Sequence, residues 1–302
     1  MCMEVDQITA FLAIARQGGF TRASEALHVS QPAISRRIRL LEQELGAPLF
    51  ERVGRGVMLS EGGRAFLPYA ETLVTLMRDS LDAVRELHHG HTGELALAFV
   101  GTLAGTGLTR RLRDYQRAHP GVRLRIRTAT SDGVSDLVRR GEVALGLRYD
   151  DDNHPDLLST RTYDEELVPI AAPEHPLAAS RHPTRDELAA HPWITFPPRT
   201  GETREPYANA LRALLGQEAA DTTEIVPIDS LTAQISLVEA GFGLAMVPRS
   251  AVERELNAGW LRVLDVAAAS SSIPVVLVER RQGFQSGAVK AMRLALLARN
   301  GG

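Results

Sequence analysis

The sequence predicts two structural classes in one chain: a small all-α winged helix-turn-helix head, followed by an α/β domain. Three observations predict it. Two short helices joined by a tight turn are written into residues 20–52, one unbroken amphipathic stretch fills residues 61–89, and from Glu94 onward strand-like and helix-like runs alternate. The 302 residues allow about two domains with sizeable cores. A composition of 44% hydrophobic and 24% charged residues is that of an ordinary globular chain.

In the head, the first helix is expected over residues 21–27 with Thr21 as its cap, and the turn over His28 and Val29. Ser30 suits the N-cap of the second helix, because its hydroxyl can accept from an amide that has no helical partner, and Pro32 fits the first turn. Ile34, Ile38, Leu41 and Leu45 recur at helical spacing and must look inward. The other face carries Gln31, Ser35, Arg36, Arg37 and Arg39, side chains that hydrogen-bond base edges and phosphates. A small helical core with a solvated arginine face would use the same residues. Residues 53–59, with glycines among apolar residues, read as a two-stranded wing with Arg55 at its tip.

Residues 1 to about 90, and less sharply the remainder, resemble a LysR-type transcriptional regulator. The resemblance rests on Phe11, Ala23, Ala26, Leu27, the SQPAIS run at residues 30–35, Leu41-Glu42, Leu45-Gly46, Leu49-Phe50, Arg52, Leu59 and Gly62. It implies a double-stranded operator with an inverted repeat as partner, Arg52 and Arg55 positioning the wing on the minor groove, and RNA polymerase as a further partner. It also implies a two-lobed effector domain like periplasmic binding proteins. The implied divisions are the head at 1–60, a linker helix at 61–90 and the effector domain at 91–302. Lobe I takes 91–163 and 267–302, and lobe II takes 164–266.

Composition bounds the remaining choices. Cys2 is the only cysteine, so an intrachain disulfide is excluded. The start, with Glu4 and Asp6 among Val5, Ile8, Leu12 and Ala15, lacks the pattern of a signal peptide, and no apolar run approaches a membrane span. A cytoplasmic protein with no membrane partner is expected. The net charge of −3 puts the basic excess in one place: Arg36, Arg37, Arg39, Arg52 and Arg55 face only Glu42, Glu44 and Glu51. Such a modest excess suits an operator reader better than a protein that coats DNA.

The stretch over residues 61–89 has a heptad of Ala70, Leu73, Met77, Leu81, Val84 and Leu87, widened by Tyr69, Leu76 and Ala83. A long helix with such a stripe calls for a partner helix, and the alternative is packing on the chain's own first helices. In LysR proteins this helix makes the dimer, which implies a homodimer or homotetramer through Leu73, Met77, Leu81 and Val84. His88, His89 and His91 have no carboxylate or cysteine neighbours and suit a helix end better than a metal.

In the α/β part, strands are expected at residues 95–100, 122–126, 143–147, 166–171, 193–196, 224–227, 243–247 and 273–279, and helices at 105–117, 133–140 and up to 299. Val122, Leu124 and Ile126 alternate with Arg123, Arg125 and Arg127, so that strand should have one wet face. Gly241 and Gly243 lack the third glycine of a dinucleotide fingerprint and read as a helix stop before a strand. No nucleophile elbow, P-loop or HExxH is present, so no enzyme and no cofactor is expected. A metabolic enzyme fused to a DNA-binding head, and a repressor with a purely structural second domain, are the alternatives to an effector-responsive regulator.

A sensor needs a site at strand ends with a few placed donors. Thr102, Ser131 and the Arg148-Tyr149 pair follow or end strands on one side. Phe196, Pro198, Thr200, Thr203 and Ser230 do so on the other. By spacing from Pro120, Thr102 and Ser131 match positions where benzoate- or muconate-type members of the family hold effector carboxylates, so the resemblance implies an anionic effector. Each hydroxyl would otherwise be a helix cap. The family's strand aspartate is Ala144 here, and period-two alternation lets only one of Arg148 and Tyr149 face the site.

Overall fold

A computed structural model describes residues 3–53, 56–89, 93–105, 107–197, 206–266 and 271–298, leaving aside the side chains of residues 53, 82 and 85–89. The described residues form two compact units, residues 1–90 and 91–302.

In the first unit α1 (Val5–Gln17), α2 (Phe20–Ala26) and α3 (Gln31–Leu45) enclose a core of Phe11, Ile14, Ala23, Ile34, Ile38 and Leu41. Glu4 and Gln7 close α1 with a capping box, and Gly18 and Gly46 end α1 and α3 in the left-handed conformation that glycine adopts without strain. Ser30 caps α3 by accepting from the Ala33 amide, with Pro32 exposed in the first turn, as its chemistry dictates. Thr21 is no cap: α2 begins at Phe20 behind Gly19, and the Thr21 carbonyl accepts from the Ser24 hydroxyl at 2.7 Å. Phe20 enters the helix because its ring packs edge-on against Phe50.

The wing pairs β1 (Phe50–Val53) with β2 (Gly56–Leu59). It begins at Phe50, earlier than the glycine pattern suggested, because Phe50 packs on Phe11 and so belongs to the core. Arg55 lies outside the described residues. Ser60 then starts α4 (Glu61–His89), accepting from the Gly63 amide and donating to the Pro48 carbonyl. A Cβ on Gly63 would stand 2.0 Å from the Leu49 carbonyl oxygen, so only glycine lets α4 approach the wing. The helix continues through Pro68, whose carbonyl accepts from the Thr72 hydroxyl.

The second unit holds one nine-stranded sheet in the order β4-β3-β5-β11-β6-β9-β7-β8, with β10 beside β6. The strands are β3 (Gly93–Val100), β4 (Val122–Ala129), β5 (Leu145–Tyr149), β6 (Leu157–Ala171), β7 (Trp193–Thr195), β8 (Ile225–Pro227), β9 (Leu244–Pro248), β10 (Arg262–Val263) and β11 (Ser271–Arg280). The helices are α5 (Leu108–Ala118), α6 (Ser131–Arg139), α7 (Arg185–Ala189), α8 (Pro206–Leu215), α9 (Gln217–Thr222), α10 (Leu231–Glu239), α11 (Glu253–Ala258) and α12 (Gly287–Leu297).

The division expected at residue 163 falls inside β6, a single strand of 15 residues. Its residues from Leu157 to Leu167 pair with β11 and those from Leu167 to Ile170 with β9, so one strand joins the two parts of the sheet. The first half has no apolar run to announce it; it is a strand because it pairs with the buried β11. β4 departs from expectation too. It is an edge strand, Val122 is buried, but Ile126 is 48% exposed, so the apolar face is covered only at its beginning. At Gly243 a Cβ would meet the Pro192 carbonyl oxygen at 2.5 Å, which fixes glycine before β9.

Candidate nucleic-acid interface and interlobe site

Gln31, Pro32, Arg36 and Arg39 lie exposed along α3, with Ser35 half-buried between them. Gln31 donates from Nε2 to Ser35 Oγ at 3.0 Å, which pre-orders the two amide and hydroxyl groups. Opposite, Ile34 and Leu41 are fully buried, so the helix cannot roll to hide its polar edge. Arg37 does not belong to that edge. Its Nη2 pairs with Asp6 Oδ2 at 2.6 Å, a contact that fastens α3 to α1. Arg52 is exposed on β1.

The linker helix α4 has two faces. Ala70, Glu71 and Thr75 are buried, and Val74 packs on the head's core, so this side meets the chain's own first helices. Ala70 therefore leaves the expected seam. Leu73, Leu76, Met77, Leu81 and Val84 are exposed on the other side, Leu81 by 54%. His91 and the side chains of Leu87, His88 and His89 lie outside the described residues.

In the second unit, alternation along β5 decides the fate of two adjacent side chains. Leu145, Leu147 and Tyr149 face the larger core beneath α5 and α12, while Gly146 lies against Val134 and Val138 of α6. Arg148 falls on the α6 side. Its Nη1 reaches Ser135 Oγ at 2.7 Å and Asp152 Oδ2 at 2.5 Å, its Nε donates to the Tyr149 carbonyl at 3.1 Å, and Asp132 stands 3.5 Å from Nη2. Burial opposes ionisation of Asp152, but bonds from Ser135 and the His154 amide and the charge of Arg148 hold its carboxyl below the usual value. Arg148 is therefore a satisfied structural charge, correcting its expected place beside Thr102.

Tyr149 takes that place. Its hydroxyl shares a hydrogen bond with Thr102 Oγ1 at 2.8 Å and another with Tyr207 OH, from α8 of lobe II, at 3.2 Å. The Phe196 ring, at the end of β7, packs on Tyr207 with centroids 5.0 Å apart. Burial drives both tyrosines upward, Tyr149 well above its ordinary value and Tyr207 to about 12, so both are neutral donors. Glu165, in the middle of β6, acts on both through its charge. It is itself buried; Ser250 donates to Oε1 at 2.5 Å, and Oε2 has no partner among the described residues.

Ser131 is the first residue of α6 and is not its cap: Thr130 is, accepting from the Gly133 amide at 3.1 Å. The Ser131 hydroxyl stands half-exposed in the first turn. Ser230 is an exposed N-cap of α10, accepting from Ala233, and so takes the capping role that competed with effector binding. Pro198, Thr200 and Thr203 lie outside the described residues. Sequence reading missed Tyr207, Glu165 and Ser250, which lie far apart in the chain.

The family model of the LysR substrate binding domain matches residues 88–301, and that of the bacterial regulatory helix-turn-helix protein of the lysR family matches residues 5–64. The chain belongs to the LysR family. Family members are transcriptional regulators, not enzymes, with a helix-turn-helix domain and an α/β substrate-binding domain. This LysR regulator is 30% identical over 275 residues to the HTH-type transcriptional regulator TfdS of Cupriavidus pinatubonensis, covering 91% of this chain and 92% of that one. A full-length OxyR from Pseudomonas aeruginosa shares the fold with a TM-score of 0.70 at 22% identity, covering 98% of this chain and 95% of the other. Full-length CbnR in complex with its target DNA does so with a TM-score of 0.64 at 24% identity, covering 97% and 99%. Among the described residues, no helix of the LysR regulator is long and apolar enough to cross a membrane.

Proposed function

We propose that this LysR regulator binds a double-stranded operator containing an inverted repeat, as a homodimer or homotetramer, and that a small-molecule effector changes its operator binding or its recruitment of RNA polymerase. The exposed edge of α3 carries the reading. A helix whose apolar face is locked in a core can present Gln31, Ser35, Arg36 and Arg39 to base edges and phosphates in a fixed register. Arg52, with Arg55 at the wing, positions the head on the backbone. The exposed side of α4, with Leu73, Met77, Leu81 and Val84, is covered by the same helix of a second copy, which supplies the two-fold symmetry that an inverted repeat requires. Such a protein works where the chromosome is, in the cytoplasm.

The effector lies where the lobes meet, with Thr102 and Phe196 on its two sides. An anionic effector, the class expected from the sequence, would rest on the Ser131 hydroxyl and the first-turn amides of α6. It would not be met by the Arg148 guanidinium, which is committed to Asp152.

Two measurements test the proposal. Arg36→Ala should cost about 1 to 3 kcal/mol on operator DNA and relax preference at one base pair, whereas Arg52→Ala should weaken operator and random DNA alike. Equal losses for Arg36→Ala on both would remove it from the base readers. Leu81→Glu places an unpaired charge in the seam and should shift sedimentation towards smaller species, and fully retained assembly would exclude α4 as the dimer contact.

A further inference from the structure

We propose that the buried carboxyl of Glu165, with the Thr102–Tyr149–Tyr207 hydroxyl chain and the Phe196 ring, forms a recognition site for an amine-bearing small molecule, whose ammonium group binds Glu165 Oε2. The proposal rests on the placement of the effector between the lobes and replaces the anionic class expected from the sequence with an amine.

Glu165 is 5% exposed. A carboxylate so deeply buried is retained only where its oxygens find partners, yet here one oxygen has a single hydroxyl and the other has nothing among the described residues. The charge that acts on it is that of Glu253, another acid, and burial pushes its own carboxyl above the ordinary value. Among the described residues it has no positive partner. The Arg148 carboxylate pair two strands away shows how this sheet completes a buried charge when the completion is internal.

The surroundings fit an ammonium and disfavour an anion. Thr102, Tyr149 and Tyr207 are neutral hydroxyls with oxygen lone pairs to offer, and Glu165 raises the proton affinity of both tyrosines through its charge. Phe196 and Tyr207, 5.0 Å apart, present aromatic faces that attract cations and cover the apolar body of a ligand. The residues come from both lobes: Thr102 and Tyr149 precede β6, Glu165 lies at its middle, and Phe196, Tyr207 and Ser250 follow it. A ligand held by both groups of residues would therefore fix the lobes against each other.

The test uses the full chain and two probes of one shape, benzylamine and benzoate, with binding followed by calorimetry and by the shift in melting temperature. Benzylamine is expected to bind and stabilise the protein. Glu165→Gln keeps the shape and removes the charge, and should weaken benzylamine by about ten- to a hundred-fold. Tyr207→Phe keeps the ring and should weaken it less, and it serves as the second variant should Glu165→Gln fail to fold. No binding of benzylamine, binding that both variants leave unchanged, or binding of benzoate in preference to it would overturn the proposal. Operator affinity is measured separately: benzylamine that binds through Glu165 without altering it supports the site and contradicts the regulatory reading.

Discussion

The sheet around β5 buries a charged side chain on each of its faces and treats the two differently. On the α6 face, Arg148 meets Asp152, Ser135, a backbone carbonyl and, more distantly, Asp132, so that both members of the ion pair are answered within the fold. On the other face, Glu165 has Ser250 on one oxygen and, among the described residues, no partner on the other. Burial alone does not tell a structural charge from a binding one. Completion separates them here: the Arg148 charge, with its partners in place, supports the scaffold, and the Glu165 carboxyl, left incomplete among the described residues, is where we place a ligand.

The comparison predicts opposite outcomes when each charge is removed. The largest effect should come from Asp152→Ala, which leaves the Arg148 guanidinium buried without its carboxylate and should destabilise the second unit by about 3 to 5 kcal/mol in a denaturant titration. A loss below about 1 kcal/mol would place this pair with surface ion pairs and break the contrast. A smaller test compares two neighbours at the start of α6. Thr130→Ala removes the cap and should cost about 0.5 to 2 kcal/mol, while Ser131→Ala removes a hydroxyl that caps nothing and should leave stability nearly unchanged. Equal losses would mean that Ser131 is structural and has no part in the effector site.

The head was legible because its signals are local. Ser30, Pro32 and the Ile34, Ile38, Leu41 spacing mark α3 within about four helical turns, by capping and periodicity that act within the helix itself. The pairing of Arg37 with Asp6 of α1 is a long-range contact that no local pattern shows. The α4 stripe was half legible, since periodicity shows an apolar face but cannot say which part of it the chain's own core will claim, and Ala70 went inward. The interlobe site was the least legible. The place of Thr102 after a strand is readable locally, but Tyr207 and Glu165 join it only through the sheet order β3-β5-β11-β6 and the approach of α8, which no local pattern encodes. Alternation showed that only one of Arg148 and Tyr149 could face the site; the packing of Gly146 on α6 shows which.

The central claim is that Glu165 is held incomplete, and the most direct measurement is the melting temperature of the full chain and of Glu165→Gln from about pH 4 to pH 8, spanning the ordinary glutamate range and beyond it. The folded protein holds the Glu165 proton more tightly than the unfolded chain does, so wild-type stability should be lost as pH rises from the unfolded value through the raised folded one. The glutamine variant has no such loss. It should be the more stable protein at neutral pH, with the gap closing towards pH 4, whereas a variant equally or less stable at neutral pH would show that the carboxylate is already satisfied and contradict the account.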